Sequence, residues 1–365
     1  MTDTNYMELA LQMAESTQGQ TSPNPVVGAI VVKNGKVIGM GAHLQAGHEH
    51  AEVHALSMAG AQADGATIYI TLEPCSHFGL TPPCANLIIE KNIKRAVIAT
   101  YDPNPDVAGQ GVKRLEQAGI EVTTGVEKEQ ADWLNRHFFH YIQTRKPYVT
   151  LKTAASLDGK TSTYSGESQW ITGEEAREDS HVLRHQHDAI LVGIGTVLQD
   201  DPTLTARLKN GASQPTRIVL DHHLKIPLTA NMLQDDEAPV WIFCAKDADK
   251  DKLKSLEESG ASVFPSSTPY VNINEILQIL GSKKVLSVYV EGGAAIHGSF
   301  LENQAFQEMI CYIAPKLIGG KAAPSVIGGQ GIASIMEVPN LNIRSVENIG
   351  DDIKIIATVK RGENA

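Results

Sequence analysis

Apolar positions recur at helical spacing from Asn5 to about Glu15, at Met7, Leu9, Ala10, Leu11, Met13 and Ala14, and the run Thr21-Ser22-Pro23-Asn24-Pro25 then breaks the pattern. The next segments read as a β-hairpin, with Val26 to Val32 and Lys36 to Met40 joined through the turn pair Asn34-Gly35. A glycine-bearing loop then leads to His50. Beyond it the pattern predicts a helix over 51–61, a short strand over 67–72, a loop holding two cysteines, a helix over 84–91 and a strand over 95–99. Alternation of this kind predicts an α/β domain of three layers, with helices covering both faces of a sheet. Near Arg145-Lys146-Pro147 the pattern restarts. Tyr148 to Thr153 reads as a strand, and further strands are expected over 189–192, 218–221, 240–244 and 285–291, with helical stretches between them. Two α/β domains are therefore expected, 1–145 and 146–365. The charged run Lys246 to Lys254 reads as a solvated helix face.

Size and charge narrow the function. A chain of 365 residues lets each half bury its own core. A formal net charge of -11 argues against a nucleic-acid surface, because binding a polyanion relies on Lys and Arg neutralising phosphates. A small anionic substrate needs only a few local cations and stays open. The four cysteines, Cys75, Cys84, Cys244 and Cys311, are too sparse for a disulfide scaffold. The first residues lack a basic segment followed by an apolar one, and no apolar run approaches membrane-spanning length. The expected setting is the reducing cytoplasm, with no membrane association.

The chemistry concentrates in His50-Ala51-Glu52, Pro74-Cys75 and Cys84. One neutral imidazole and two thiolates are three zinc ligands, and three protein ligands leave a fourth position for water, as in a catalytic site. A structural site would close with a fourth Cys or His. A glutamate two residues after the histidine is the acid/base of zinc-dependent base deaminases and not a ligand. A lone His-x-Glu carries little information, since a histidine beside a glutamate is usually an ordinary surface or core pair. The joint pattern is different, because it gives every member a role. His50 and Cys84 each fall at the start of a predicted helix, where the positive end of the dipole favours thiolate over thiol. Zinc is preferred over iron by the same ligand set.

The cysteine spacing departs from Cys-x-x-Cys. Here the segment runs Cys75-Ser76-His77-Phe78-Gly79-Leu80-Thr81-Pro82-Pro83-Cys84. In this it resembles the family of bifunctional riboflavin-biosynthesis deaminase/reductases, whose loop has the form Pro-Cys-Ser-His-x-Gly-(Lys/Arg)-Thr-Pro-Pro-Cys. The runs Thr21 to Gly28, Asp102-Pro103-Asn104-Pro105 and Ala154-Ala155-Ser156-Leu157-Asp158-Gly159-Lys160 look like the same family, and the resemblance extends from Tyr6 to Val359. It implies an N-terminal cytidine-deaminase-like three-layer domain and a C-terminal dihydrofolate-reductase-like domain. The first would hydrolyse an amino group from a diaminopyrimidinone ribosylamino phosphate with Zn2+. The second would use NADPH to reduce the ribosyl group to ribityl.

The resemblance also carries roles onto residues. His50, Cys75 and Cys84 would hold the metal and Glu52 would move the proton. Asn24 and His43 match positions that orient the pyrimidine or its ribose phosphate. In the second half Ser168, Arg184 and Arg207 match positions for substrate phosphate and ribose, and an arginine fork suits phosphate. Leu204 and Glu291 match further substrate positions. Ala154, Trp170, Thr196, Asp200 and the stretch Gly293, Ala294, Ala295, Ile296, His297, Gly298 and Ser299 match NADP positions. Leu80 stands where the family carries Lys or Arg, with His77 as one candidate to replace that cation, and His222 stands after Asp221 where a Ser is usual. Lys152 and Asp200 are candidates for protonating the opened sugar. The resemblance further implies a homo-oligomer, a dimer or tetramer.

Taken without the family, the second half offers weaker signals. No Gly-x-Gly-x-x-Gly follows a strand, which disfavours a Rossmann domain. Glu291-Gly292-Gly293-Ala294-Ala295 does follow an apolar strand, and N–H groups at a helix start there would suit phosphates. Two other readings stand beside the leading one. One is a nucleoside or tRNA base deaminase with an unrelated C-terminal nucleotide-binding domain. The other is a non-catalytic zinc scaffold whose second domain senses a nucleotide, for which Glu52 would have no use.

Overall fold

The computed structural model describes residues 1–76, 83–104 and 107–360. The chain separates into two compact units, Met1–Arg145 and Lys146–Ala365. The first contains α1 (Asp3–Glu15), β1 (Gly28–Lys33), β2 (Lys36–Ala42), α2 (Ala51–Ala59), β3 (Thr67–Ile70), α3 (Cys84–Glu90), β4 (Arg95–Ile98), α4 (Gln110–Gln117), β5 (Glu121–Thr124), α5 (Lys128–Leu134) and α6 (Arg136–Thr144). Its sheet runs in the order β2-β1-β3-β4-β5, antiparallel through β2, β1 and β3 and parallel from β3 to β5.

Strand alternation sends Ala29 and Val31 to one face, against Ala55 and Leu56 of α2, Ile88 of α3 and Leu115 of α4. Ile30 and Val32 go to the other, against Tyr6, Met7 and Ala10 of α1 and Ala131 of α5. The unit therefore has the three layers that its pattern predicts. β1 begins two residues later than periodicity indicates, because the Asn135 side chain takes both backbone groups of Val26, its Oδ1 accepting at 2.9 Å and its Nδ2 donating at 2.9 Å. Helix α2 stops at Ala59, where Gly60 turns to φ 54° and starts a short 3-10 turn.

The second unit contains β6 (Tyr148–Ser156), α7 (Glu174–Gln186), β7 (Ala189–Gly193), α8 (Ile194–Asp200), β8 (Thr216–Leu220), β9 (Val240–Cys244), α9 (Lys250–Glu258), β10 (Ser262–Pro265), α10 (Ile273–Ser282), β11 (Ser287–Val290), α11 (Ala294–Glu302), β12 (Glu308–Ala314), β13 (Leu341–Ile349) and β14 (Asp352–Val359). Nine strands form one sheet in the order β10-β9-β8-β7-β11-β6-β12-β14-β13, parallel from β10 to β12 and antiparallel in the last two. α10 and α11 pack on one face through Ile276, Leu280 and Phe300. α8 and α9 cover the other through Val197 and Leu256. β11 starts at Ser287 and not at Val285, because Val285 N–H still bonds the last turn of α10 at Leu280 and Leu286 N–H bonds the Asp188 carboxylate. The charged run enters a helix only at Lys250, where Asp249 accepts from Asp251 and Lys252 N–H and caps it. Among the described residues no helix is long and apolar enough to cross a membrane.

Candidate functional site

In the first unit the carboxyl ends of the parallel strands β3 and β4 and the start of α2 converge, the place where open α/β sheets gather ligands. His50 is the residue that caps α2, yet its side chain makes no bond to the helix, so its imidazole is turned elsewhere. Cys75 follows β3, and Cys84 opens α3. His50 Nδ1 lies 3.6 Å from Cys75 Sγ and 3.3 Å from Cys84 Sγ, and the three donor atoms fall within 4.8 Å of one another. Zinc bonds of about 2.0–2.3 Å in a tetrahedron place ligand atoms roughly 3.3–3.8 Å apart, so the set fits that ion. Among the described residues it is the one cluster able to hold a metal.

The electrostatics agree with that fit. The Cys84 thiol, joined by the Cys84 backbone N–H at 3.2 Å and the His50 imidazole, holds the Cys75 thiol well below its ordinary value against the opposing effect of burial. Facing that thiolate, the Cys84 thiol is pushed up. A divalent cation between the two sulfurs removes the conflict. Glu52 is 3 % exposed, and burial, helped by the Cys75 charge, pushes its carboxyl up to about 7.

His43 is buried, and its Nε2 lies 3.0 Å from Asn24 Nδ2. An amide nitrogen only donates, so Nε2 accepts and the ring proton sits on Nδ1, from which it is donated to the Glu49 carbonyl at 3.1 Å. Burial keeps the ring neutral by lowering its pKa. A cavity of about 340 Å³ gathers Asn24, His43, His50, Glu52 and Cys75 on its wall. Asp102, Asn104 and Phe138 line it as well. The first two belong to the Asp102 to Pro105 run, which served the sequence reading only as a resemblance. Phe138 arrives from α6, and nothing in its neighbourhood marks it. Leu80, His77 and Pro105 lie outside the described residues.

The second unit holds a cavity of about 740 Å³ above the carboxyl ends of β6, β7 and β11. Ser168, Arg184, Leu204, Arg207 and Glu291 line it, together with Ala154, Trp170, Thr196, Asp200 and Gly293. The residues from Ala294 to Ser299 are not in its wall. They form α11 behind Gly293, and His297 is 3 % exposed, with its ring nitrogens against the Val326 and Val290 carbonyls. No side chain caps the first N–H groups of α11, which leaves donors at the cavity rim. Those donors, with Arg177 and Arg207 around the space, fit a bulky polyanion such as NADPH.

Arg184 does not present a free fork. Its Nε and Nη2 grip Glu291 at 2.6 and 3.0 Å, and Nη1 donates to the Thr205 carbonyl at 3.0 Å. Burial alone would raise the Glu291 pKa, but Arg184 and then Lys152, whose Nζ is 3.6 Å from Oε2, hold the carboxyl well below the usual range. Lys152 therefore pairs with Glu291, and no ion pair joins it to Asp200 among the described residues. Leu204 is 3 % exposed at φ 56°, a strained backbone for a bulky side chain. Trp170 is 64 % exposed, with the Arg177 guanidinium 4.5 Å from its ring centre. Arg177, His181 and Tyr312 line the cavity without any mark in the sequence reading.

Comparison with known proteins reaches both halves of the chain. Residues 1–100 match the cytidine and deoxycytidylate deaminase zinc-binding region, and residues 147–355 match the RibD C-terminal domain. The chain is 53 % identical to riboflavin biosynthesis protein RibD of Bacillus amyloliquefaciens, over 98 % of this chain and 97 % of that one. It is 47 % identical to the Aquifex aeolicus protein of the same name, over 97 % of each. Its fold superimposes on Acinetobacter baumannii RibD with a TM-score of 0.87 at 37 % identity, covering 98 % of this chain and 99 % of that one. The same TM-score, at 34 % identity and the same coverage, relates it to a Thermotoga maritima diaminohydroxyphosphoribosylaminopyrimidine deaminase/5-amino-6-(5-phosphoribosylamino)uracil reductase. Because the likeness runs through both halves, a base deaminase with an unrelated C-terminal domain is not favoured, and the chain belongs to the RibD family of bifunctional, zinc- and NADPH-dependent deaminase/reductases of riboflavin biosynthesis.

Proposed function

We propose that residues 1–145 carry the deaminase and 146–365 the reductase, acting in that order on a diaminopyrimidinone ribosylamino phosphate. The observation that carries this is the His50-Cys75-Cys84 cluster beside a buried Glu52 on a cavity wall. When bound there, zinc supplies an activated water. Glu52 takes that water's proton and returns it to the departing nitrogen, so ammonia leaves and a carbonyl replaces the amine. A carboxyl near neutrality suits this two-way transfer. Asn24 and His43, locked to each other, orient the pyrimidine.

In the second cavity NADPH, when bound, supplies a hydride. Ala154, Trp170, Thr196, Asp200 and Gly293 hold it, and Arg207 and Ser168 take the substrate phosphate. Glu291 orients Lys152, whose ammonium gives a proton to the opened sugar oxygen. The remaining residues of α11 support the Gly293 turn from behind.

A small-molecule substrate suits the net charge of -11 better than a nucleic acid does, and cytoplasmic residence suits four free cysteines. A homo-oligomer is supported by edge strand β13, which exposes Leu341, Ile343 and Val346; a monomer mass by light scattering would remove it. The deciding experiment offers the diamino ribotide and its deaminated product separately to wild type and Glu52→Ala. Wild type is expected to oxidise NADPH with both and the variant with the deaminated product alone. No oxidation by wild type with either would sink the reductase assignment.

A further inference from the structure

We propose that Glu73 is a positioning residue of the deaminase, a cap that fixes the substrate-facing wall to the turn bearing Cys75; this rests on the deaminase reading above. Glu73 is 4 % exposed, and a buried carboxylate needs full hydrogen-bond compensation. It finds that in four backbone N–H groups. Oε2 accepts from Asp102 at 3.2 Å and Gly109 at 2.9 Å, and Oε1 accepts from Gly111 at 2.8 Å and Val112 at 3.2 Å. One oxygen thus gathers both ends of the segment between β4 and α4, and the other binds the first turn of α4.

Helix α4 has no cap of its own. Its N-cap, Gly109, has no side chain to offer, so its first N–H groups depend on a group from elsewhere in the chain. A carboxylate suits the positive end of the helix. The approach is close: a Cβ on Gly111 would lie 2.1 Å from the Pro74 carbonyl oxygen, so the helix start presses directly on the turn that leads to Cys75. Asp102, held by the same carboxylate, is cavity wall, as are Glu73 itself, Asn104, whose N–H bonds the Asp102 carboxylate, and Val107, whose N–H bonds the Asn104 carbonyl. Glu73 therefore sets the distance between the metal ligands and that wall through its four bonds to backbone N–H groups.

The test compares Glu73→Gln and Glu73→Asp with wild type. In Glu73→Gln the amide nitrogen meets two N–H donors that it cannot pair with. Its deaminase KM is expected to rise at least about tenfold, with kcat within roughly threefold, as an interaction uniform between ground and transition states dictates. Zinc content and reductase turnover on the deaminated product stay at wild-type values, and amide exchange at Gly109, Gly111 and Val112 accelerates. Glu73→Asp keeps the charge and is expected to raise KM less. An unchanged KM, unchanged exchange, or a loss of zinc together with kcat would each overturn the proposal, as would a larger KM in Glu73→Asp. If wild type releases no ammonia, the deaminase reading fails, while the exchange comparison still decides whether Glu73 holds the wall.

Discussion

His181, on α7, sits between two arginines. Burial, then Arg184 and Arg207, lower its pKa from the ordinary 6.5 to about 4, while Glu291 and Thr205 oppose them, and its Nδ1 accepts from Arg207 N–H at 3.3 Å. The folded protein therefore keeps this ring neutral while the unfolded chain takes up a proton, so between pH 6.5 and 4 stability falls as pH falls. Because the ring is only half-buried, the effect is about 1 kcal/mol and not the several that full enclosure would give. His181→Gln should flatten the pH dependence of the unfolding midpoint in that window, and parallel wild-type and variant curves would refute the assignment. Nothing in the sequence marks His181 as unusual, since its surroundings come from segments that meet only in the fold. The His50-Cys75-Cys84 cluster was legible because a metal site constrains residue type as well as position. Glu73 was not, because its partners are backbone groups, which leave no side-chain signature.

At the scale of elements, α2 rests against β2 so closely that a Cβ on Gly41 would lie 2.4 Å from the Ala51 carbonyl oxygen and 2.6 Å from the His54 Cβ. Gly41→Ala must push α2 away from the sheet, at a cost of about 1–3 kcal/mol. Since α2 begins at His50 and carries Glu52, the same shift should weaken zinc retention. Denaturant unfolding and competition with a chelator measure the two effects. Full stability with loosened zinc, or the reverse, would show that helix position and metal geometry are independent. Helices and buried parallel strands were readable wherever periodicity was strong, as at α1 and β9. The antiparallel pair β13 and β14 was not foreseen. β13 lies at a sheet edge with most of its residues exposed, so it lacks the alternation that identifies a half-buried strand.

For the whole molecule, the two units bury separate cores, which is why a restart of pattern near residue 145 was visible at all. The order of strands was beyond reach of the sequence, because periodicity reports which face is buried and not which neighbour lies alongside. That order matters for β6. It follows the first unit directly, yet its partners are β11 and β12, with Tyr148 opposite Ser287 and Thr150 opposite Glu308. During synthesis the first unit can close with nearly all of its sheet already made, whereas β6 waits for well over a hundred residues before either neighbour exists. Loop-closure entropy opposes such distant pairing until late. The chain should thus mature in two kinetic phases. After dilution from denaturant with zinc present, ammonia-releasing activity is expected to return before NADPH oxidation, and simultaneous recovery would show that long-range pairing does not limit the second unit.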